Sequence, residues 1–97
     1  MTKTQVRSRK NKIYEMLQKI YEMVEDVQNE IEELKDEVEE TRDEIEPYDY
    51  AEELTPEQEE RQEWFDEAVS PLEDAYNNLD DVRENIEYAQ NSLEEID

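Results

Sequence analysis

The 97-residue chain has no glycine, no cysteine and no histidine, and only ten basic residues against 32 acids. Without glycine there are no phosphate-cradling loops, no tight primed hairpin turns and no glycine helix caps. Without cysteine and histidine there are no thiolate nucleophiles, no zinc site, no Ser-His-Asp arrangement and no proton shuttle working near neutral pH. No disulfide can form, which fits a reducing compartment. The start MTKTQVRSRKNK has no apolar run behind it, so neither a signal peptide nor a membrane anchor is expected there. A cytoplasmic location is the expectation.

What is present is acid. The net charge is −22, 43% of residues are charged and 34% are apolar, a balance close to that of disordered chains. The apolar residues, however, are periodic. In the first half they run Ile13, Leu17, Ile20, Val24, Val27, Ile31, Leu34, Val38, Thr41, Ile45, in unbroken steps of four and three. In the second half they run Phe65, Ala68, Leu72, Ala75, Leu79, Val82, Ile86, Ala89, Leu93, Ile96. Each run is a heptad repeat, the mark of a coiled coil. Pro47 stops the first helix, and Thr55-Pro56-Glu57-Gln58 starts the second as a capping box with proline at the first helical position. The pattern predicts one all-α domain over 1–97, an antiparallel two-helix coiled-coil hairpin. Helix one spans about 4–46, the loop 47–55 and helix two about 56–96. In antiparallel register Val38 meets Phe65, Ile31 meets Leu72, Val24 meets Leu79 and Leu17 meets Ile86, each pair of numbers adding to 103.

Two features leave alternatives open. Ser70-Pro71 repeats the start signature inside helix two, so the helix is kinked at Pro71, or broken there into a three-helix arrangement. Tyr14, Met16, Tyr21 and Met23, with Trp64, Val69 and Tyr76, flank the seam. They either widen it or form a second face for a partner, including a homodimer closing a four-helix bundle.

Charge is segregated along the chain. Residues 1–20 hold six bases against Glu15, and residues 21–97 hold 31 acids against four bases. The basic start is expected to pair with the acidic C-terminal end; a nucleic-acid-binding arm is the alternative. A helix of this length spans roughly 60 Å at 1.5 Å per residue. Spreading the net charge of residues 21–97, −27 from 31 acids and four bases, over a two-helix rod of that length gives one charge per roughly 2.2 Å, against about 1.7 Å for duplex DNA. Like charges at helical neighbour spacing destabilise by about 0.2–0.5 kcal/mol each. Mixing lysine among the acids would avoid that cost, so the unmixed acid suggests that the field itself is used. The plain alternative is a solvated, solubilising coat.

No catalytic constellation is visible, because a general acid needs a desolvated pocket that two helices do not provide. Calcium sites need a glycine-turned loop and di-metal bundles need histidine. The expectation is therefore a non-enzyme with no cofactor and no metal. The candidate partner surface is acidic: Glu25, Asp26, Glu32, Glu33, Asp36, Glu39, Glu40, Asp43, Glu59, Glu60, Glu63, Asp66 and Glu67. The candidate apolar anchors are Tyr14, Tyr21, Tyr48, Tyr50 and Trp64, with Tyr88 towards the far end.

In length, acidity, lack of cysteine and simple helical scaffold, the chain resembles the small acidic DNA-mimic inhibitors encoded by phages. These include anti-restriction, glycosylase-inhibitor and anti-CRISPR proteins. The resemblance is one of general character and carries no motif. It implies an inhibitor in the cytoplasm of a bacterial host cell. Its partner would be a basic nucleic-acid-binding protein, such as a bacterial defence enzyme, with no direct contact to nucleic acid or membrane. The alternatives are a structural coiled-coil oligomerisation or scaffold module, and a chaperone for basic proteins.

Overall fold

The computed structural model describes all 97 residues. It contains two helices, α1 (Lys3–Asp43) and α2 (Pro56–Glu94), and no strand. They pack against each other as a helical hairpin. The chain divides into two compact units, a terminal unit of Met1–Gln28 with Asn78–Asp97 and a loop unit of Asn29–Asn77.

Side chains near the chain ends of the helices explain where they start and stop. Thr2 and Gln5 form a reciprocal capping box at the start of α1. Gln5 N–H donates to Thr2 Oγ1 (3.1 Å) and Thr2 N–H to Gln5 Oε1 (2.8 Å). Thr55 and Gln58 do the same for α2, at 3.1 and 2.9 Å, as the sequence pattern predicts. Helix α1 ends at Asp43, three residues before the expected boundary. Glu46 precedes Pro47, which disfavours helical backbone at that residue. The helix closes instead with a tightened turn from Ile45 N–H to Arg42 C=O (3.3 Å). Helix α2 is not broken at Pro71: it runs helical from Pro56 through Ser70 and Pro71 to Glu94. The cost is one missing N–H donor to the Glu67 carbonyl.

The expected seam is half right. Leu17, Val24, Ile31 and Val38 on α1, Ile45 just past its end, and Phe65, Leu72, Leu79, Ile86 and Leu93 on α2, are covered as the heptads predict. The second apolar row of α1 is not. Ile13, Ile20, Val27 and Leu34 remain 46–50% exposed. In their place α1 turns a polar row inward, Tyr14, Tyr21, Gln28, Lys35 and Arg42, and α2 a row that is polar but for Val69: Gln62, Val69, Tyr76, Arg83 and Gln90. Gln28, at 2% exposed, is the most deeply buried of these, and Ile86 is the one buried apolar residue.

The reason lies in the opposite row of α2. Alanines at 68, 75 and 89 offer Leu34, Val27 and Ile13 little to pack on. The row Asp66, Glu73, Asp80, Glu87 and Glu94 offers acceptors at every heptad. In the terminal unit Tyr21 Oη donates to Glu87 Oε1 (2.9 Å) and Gln28 Nε2 to Asp80 Oδ1 (2.7 Å). In the loop unit Lys35 Nζ meets Glu73 at 3.1 Å and Arg42 Nη1 meets Asp66 at 2.9 Å. The two numbers of every such pair add to 108. Tyr21 and Arg83, stacked at 5.0 Å, add to 104, within one residue of the expected 103.

Candidate acidic interface

The loop unit holds 21 acids and three bases, a net charge of −18. The terminal unit holds 11 acids and seven bases, a net of −4.

In the loop unit two of the three bases bridge the helix pair, and Arg61 is exposed on α2. Lys35 reaches Glu73 and, less closely, Glu39 at 3.7 Å. Arg42 reaches Asp66 and Asp43. Arg61 lies over the Phe65 ring, 5.6 Å from its centroid. The Lys35 ammonium is held above its ordinary value, first by its hydrogen bond to Glu73, with the charges of Glu73, Glu39 and Asp36 adding to it. Arg42 is raised likewise by hydrogen bonds to Asp43 and Asp66. Four acids, Glu39, Asp43, Asp66 and Glu73, are therefore within ion-pair reach of a base. The other 17 of the 21 are not.

Among the expected interface residues, Glu32, Glu33, Asp36, Glu40, Asp43, Glu59, Glu60, Glu63, Asp66 and Glu67 are solvent-exposed in this unit. Glu39 is half-buried beside Lys35. Glu32 and Glu39 line one margin of the seam on α1, and Glu59, Asp66 and Glu73 line the facing margin on α2. The unit thus presents two rows of carboxylates with Lys35 and Arg42 set between them. Glu25 and Asp26 belong to the terminal unit instead. Glu25 lies 3.9 Å from Arg83.

The aromatic anchors divide in the same way. Tyr48 and Tyr50 stack with centroids 5.7 Å apart, and Tyr50 is 88% exposed. Trp64 meets Phe65 edge-on at 5.1 Å and is 64% exposed. All of these lie in the loop unit. Tyr14 and Tyr21 do not act as free anchors, because both turn into the seam. The Tyr21 hydroxyl donates to Glu87 and accepts from Arg83 Nη2 (3.0 Å). Tyr14 is half-buried, and its phenol is pushed above the usual value by its hydrogen bond to Glu94. Tyr88 is exposed and donates to Glu84 at 2.6 Å.

The basic start behaves differently from the expectation. Arg7 Nε and Lys10 Nζ do reach the C-terminal end, but they donate to the main-chain oxygens of Asp97 and Ile96 (2.9 Å for Lys10) rather than to side-chain carboxylates. Lys3, Arg9, Lys12 and Lys19 form no ion pair.

Chemically the surface can attract cations and hydrogen-bond donors. A shallow cleft of about 270 Å³ is lined by Ile31, Glu32, Lys35, Glu73, Tyr76 and Asn77. Its one amine, Lys35, is held protonated by its carboxylate partners and so is a poor nucleophile. No three acidic side chains converge to hold a metal ion. No helix is long and apolar enough to cross a membrane. Comparison with family models, curated proteins and solved structures finds no match.

Proposed function

We propose that this protein is a binding protein that occupies the basic nucleic-acid groove of another protein and blocks it, with loop-unit carboxylates standing in for phosphates. The observation that carries the reading is the unneutralised field of that unit. It has 21 acids and three bases, two of the bases bridging the helix pair, and 17 acids without an ion-pair partner.

A basic groove supplies the lysines and arginines that those carboxylates lack. Complementary fields speed encounter and make it salt-sensitive. Exposed Tyr50 and Trp64 supply short-range contact area where the charges alone are not selective. A role as a coiled-coil scaffold treats the same acids as a coat, and then partner affinity does not respond to salt.

The test is capture from bacterial lysate on the tagged protein, washed at about 50 mM and then about 500 mM salt, where counterion-dependent complexes dissociate. The expected result is a basic nucleic-acid-binding protein in the high-salt step, inhibited in a DNA-binding assay. Charge reversal at Glu32, Glu33, Asp36, Glu39 and Glu40 should abolish inhibition and leave helicity intact. Full inhibition by the reversed variant sinks the proposal.

A further inference from the structure

The row that the seam leaves out has no role in the hairpin or in the acidic interface. In the terminal unit Ile13, Met16, Ile20, Met23 and Val27 recur in steps of three and four, so they lie on one face of α1. They are 48, 57, 46, 65 and 50% exposed. Val82 of α2 and Ile96 beyond its end, in the same unit, are also exposed. Soluble monomers rarely leave so many large apolar side chains contiguous, and such a patch marks a docking surface.

We infer that this face binds a second copy of the chain, α1 against α1, antiparallel about a two-fold axis at Ile20. Three observations point to a copy rather than to a foreign partner. The stripe is close to palindromic. Ile13 and Val27 lie seven residues either side of Ile20, and Met16 and Met23 four and three. A two-fold axis there lays each apolar residue on an apolar residue of the other chain, as an isologous interface requires.

The charges are complementary in the same sense. Every base in the α1 part of this unit precedes Ile20, and Glu22, Glu25 and Asp26 follow it. Antiparallel pairing brings the basic segment of each copy beside the acidic segment of the other, with Lys12 two residues from the position opposite Asp26, within reach of its side chain, twice. Lys12, which has no ion-pair partner within its own chain, thereby gains one. Finally, the contact falls in the one unit where self-association is electrostatically tolerable, at −4 rather than −18. The inference is independent of the target of the acidic unit.

The test is the mass of the full-length protein by sedimentation equilibrium over a concentration series. Wild type should show a monomer–dimer equilibrium. Ile20→Glu sets two carboxylates on the axis and should raise the dissociation constant at least tenfold, about 1.4 kcal/mol, without changing the helical circular dichroism. Met23→Glu, at a still more exposed position, makes the same test if the Ile20 variant loses helix. Lys12→Glu alone and Asp26→Lys alone should each weaken the dimer, and the double exchange should restore it. A monomer at every concentration overturns the inference and leaves the face to a foreign partner. A dimer indifferent to both glutamate variants, or a double exchange that fails to restore association, overturns it as well.

Discussion

Val27 and Gln28 are neighbours in sequence, and the hairpin reverses the roles that their chemistry suggests. Valine belongs to the apolar heptad row yet is half exposed; glutamine is polar yet 2% exposed. Gln28 Nε2 donates to Asp80 (2.7 Å), and Gln28 Oε1 accepts from Arg83 Nη1 (3.0 Å). Gln28→Ala removes both bonds. Asp80 is half exposed and recovers water. Arg83 fares worse, since its Nε is already sealed from solvent with no acceptor. Its Nη1 then keeps only the longer 3.4 Å contact to Asp80. Losing a hydrogen bond to a charged group costs about 1.5–3 kcal/mol, and the lost methylene packing adds up to about 0.8 kcal/mol. Gln28→Ala should therefore cost about 2–3 kcal/mol, a shift in Tm of roughly 10–20 °C for a chain of this size. Val27→Ala should cost under about 1 kcal/mol, because half of its side chain stays in water in either case. The assay is urea unfolding followed by helical circular dichroism, at protein concentrations low enough to keep the chain monomeric. If Val27→Ala costs more than Gln28→Ala, the helices face each other along the apolar row and the polar-row account is wrong.

Further outcomes follow from the same geometry. Pro71→Ala restores a donor to the Glu67 carbonyl and should stabilise the protein by up to about 3 kcal/mol in urea; a loss of stability would mean that α2 needs the proline. Added salt should raise Tm, because unpaired acids in the loop unit far outnumber the ion pairs that screening weakens; a falling Tm would show that the ion pairs dominate. Tyr14 and Tyr88 are raised from 10.0 by hydrogen bonds to Glu94 and Glu84, and Lys35 is raised from 10.5 chiefly by Glu73. In all three the folded state holds the protonated form, so their stabilisation is complete below the ordinary values and is lost as pH rises through the raised ones. Ultraviolet titration of the phenols should show Tyr14→Phe and Tyr88→Phe each removing a late-titrating tyrosine; removal of an early one would contradict the assigned hydrogen bonds.

Much of the fold was legible from residue spacing. The two heptad runs, Pro47 and the Thr55–Gln58 box carry enough local information to place two antiparallel helices and their loop. The central apolar row of each helix is the one actually covered, as the heptads predict. The inward polar row escaped because period alone does not say which of two adjacent rows faces the partner. That choice depends on the other helix, where acids at 66, 73, 80, 87 and 94 can satisfy Tyr21, Gln28, Lys35 and Arg42, while alanines at 68, 75 and 89 offer less to pack on. Both rows of sevens stand in the sequence, and pairing them by constant sum was a signal available for use. The Thr2–Gln5 cap was readable too, as T-x-x-Q ahead of a helix. The acidic interface was legible as composition. Its division from the near-balanced terminal unit required knowing which residues pack together. The turn of Tyr14 and Tyr21 into the seam could not come from composition, because aromatic side chains suit a seam and a docking face equally well.

Loop-unit carboxylates that take the place of phosphates must compete with nucleic acid for the same groove. The direct measurement is competition. Labelled duplex DNA is bound to the basic protein recovered from the low-salt capture, and this protein is titrated in at several salt concentrations. The account predicts complete displacement of the duplex, no ternary complex, and an affinity whose logarithm falls linearly with the logarithm of salt. A ternary complex, or an affinity that ignores salt, would contradict it.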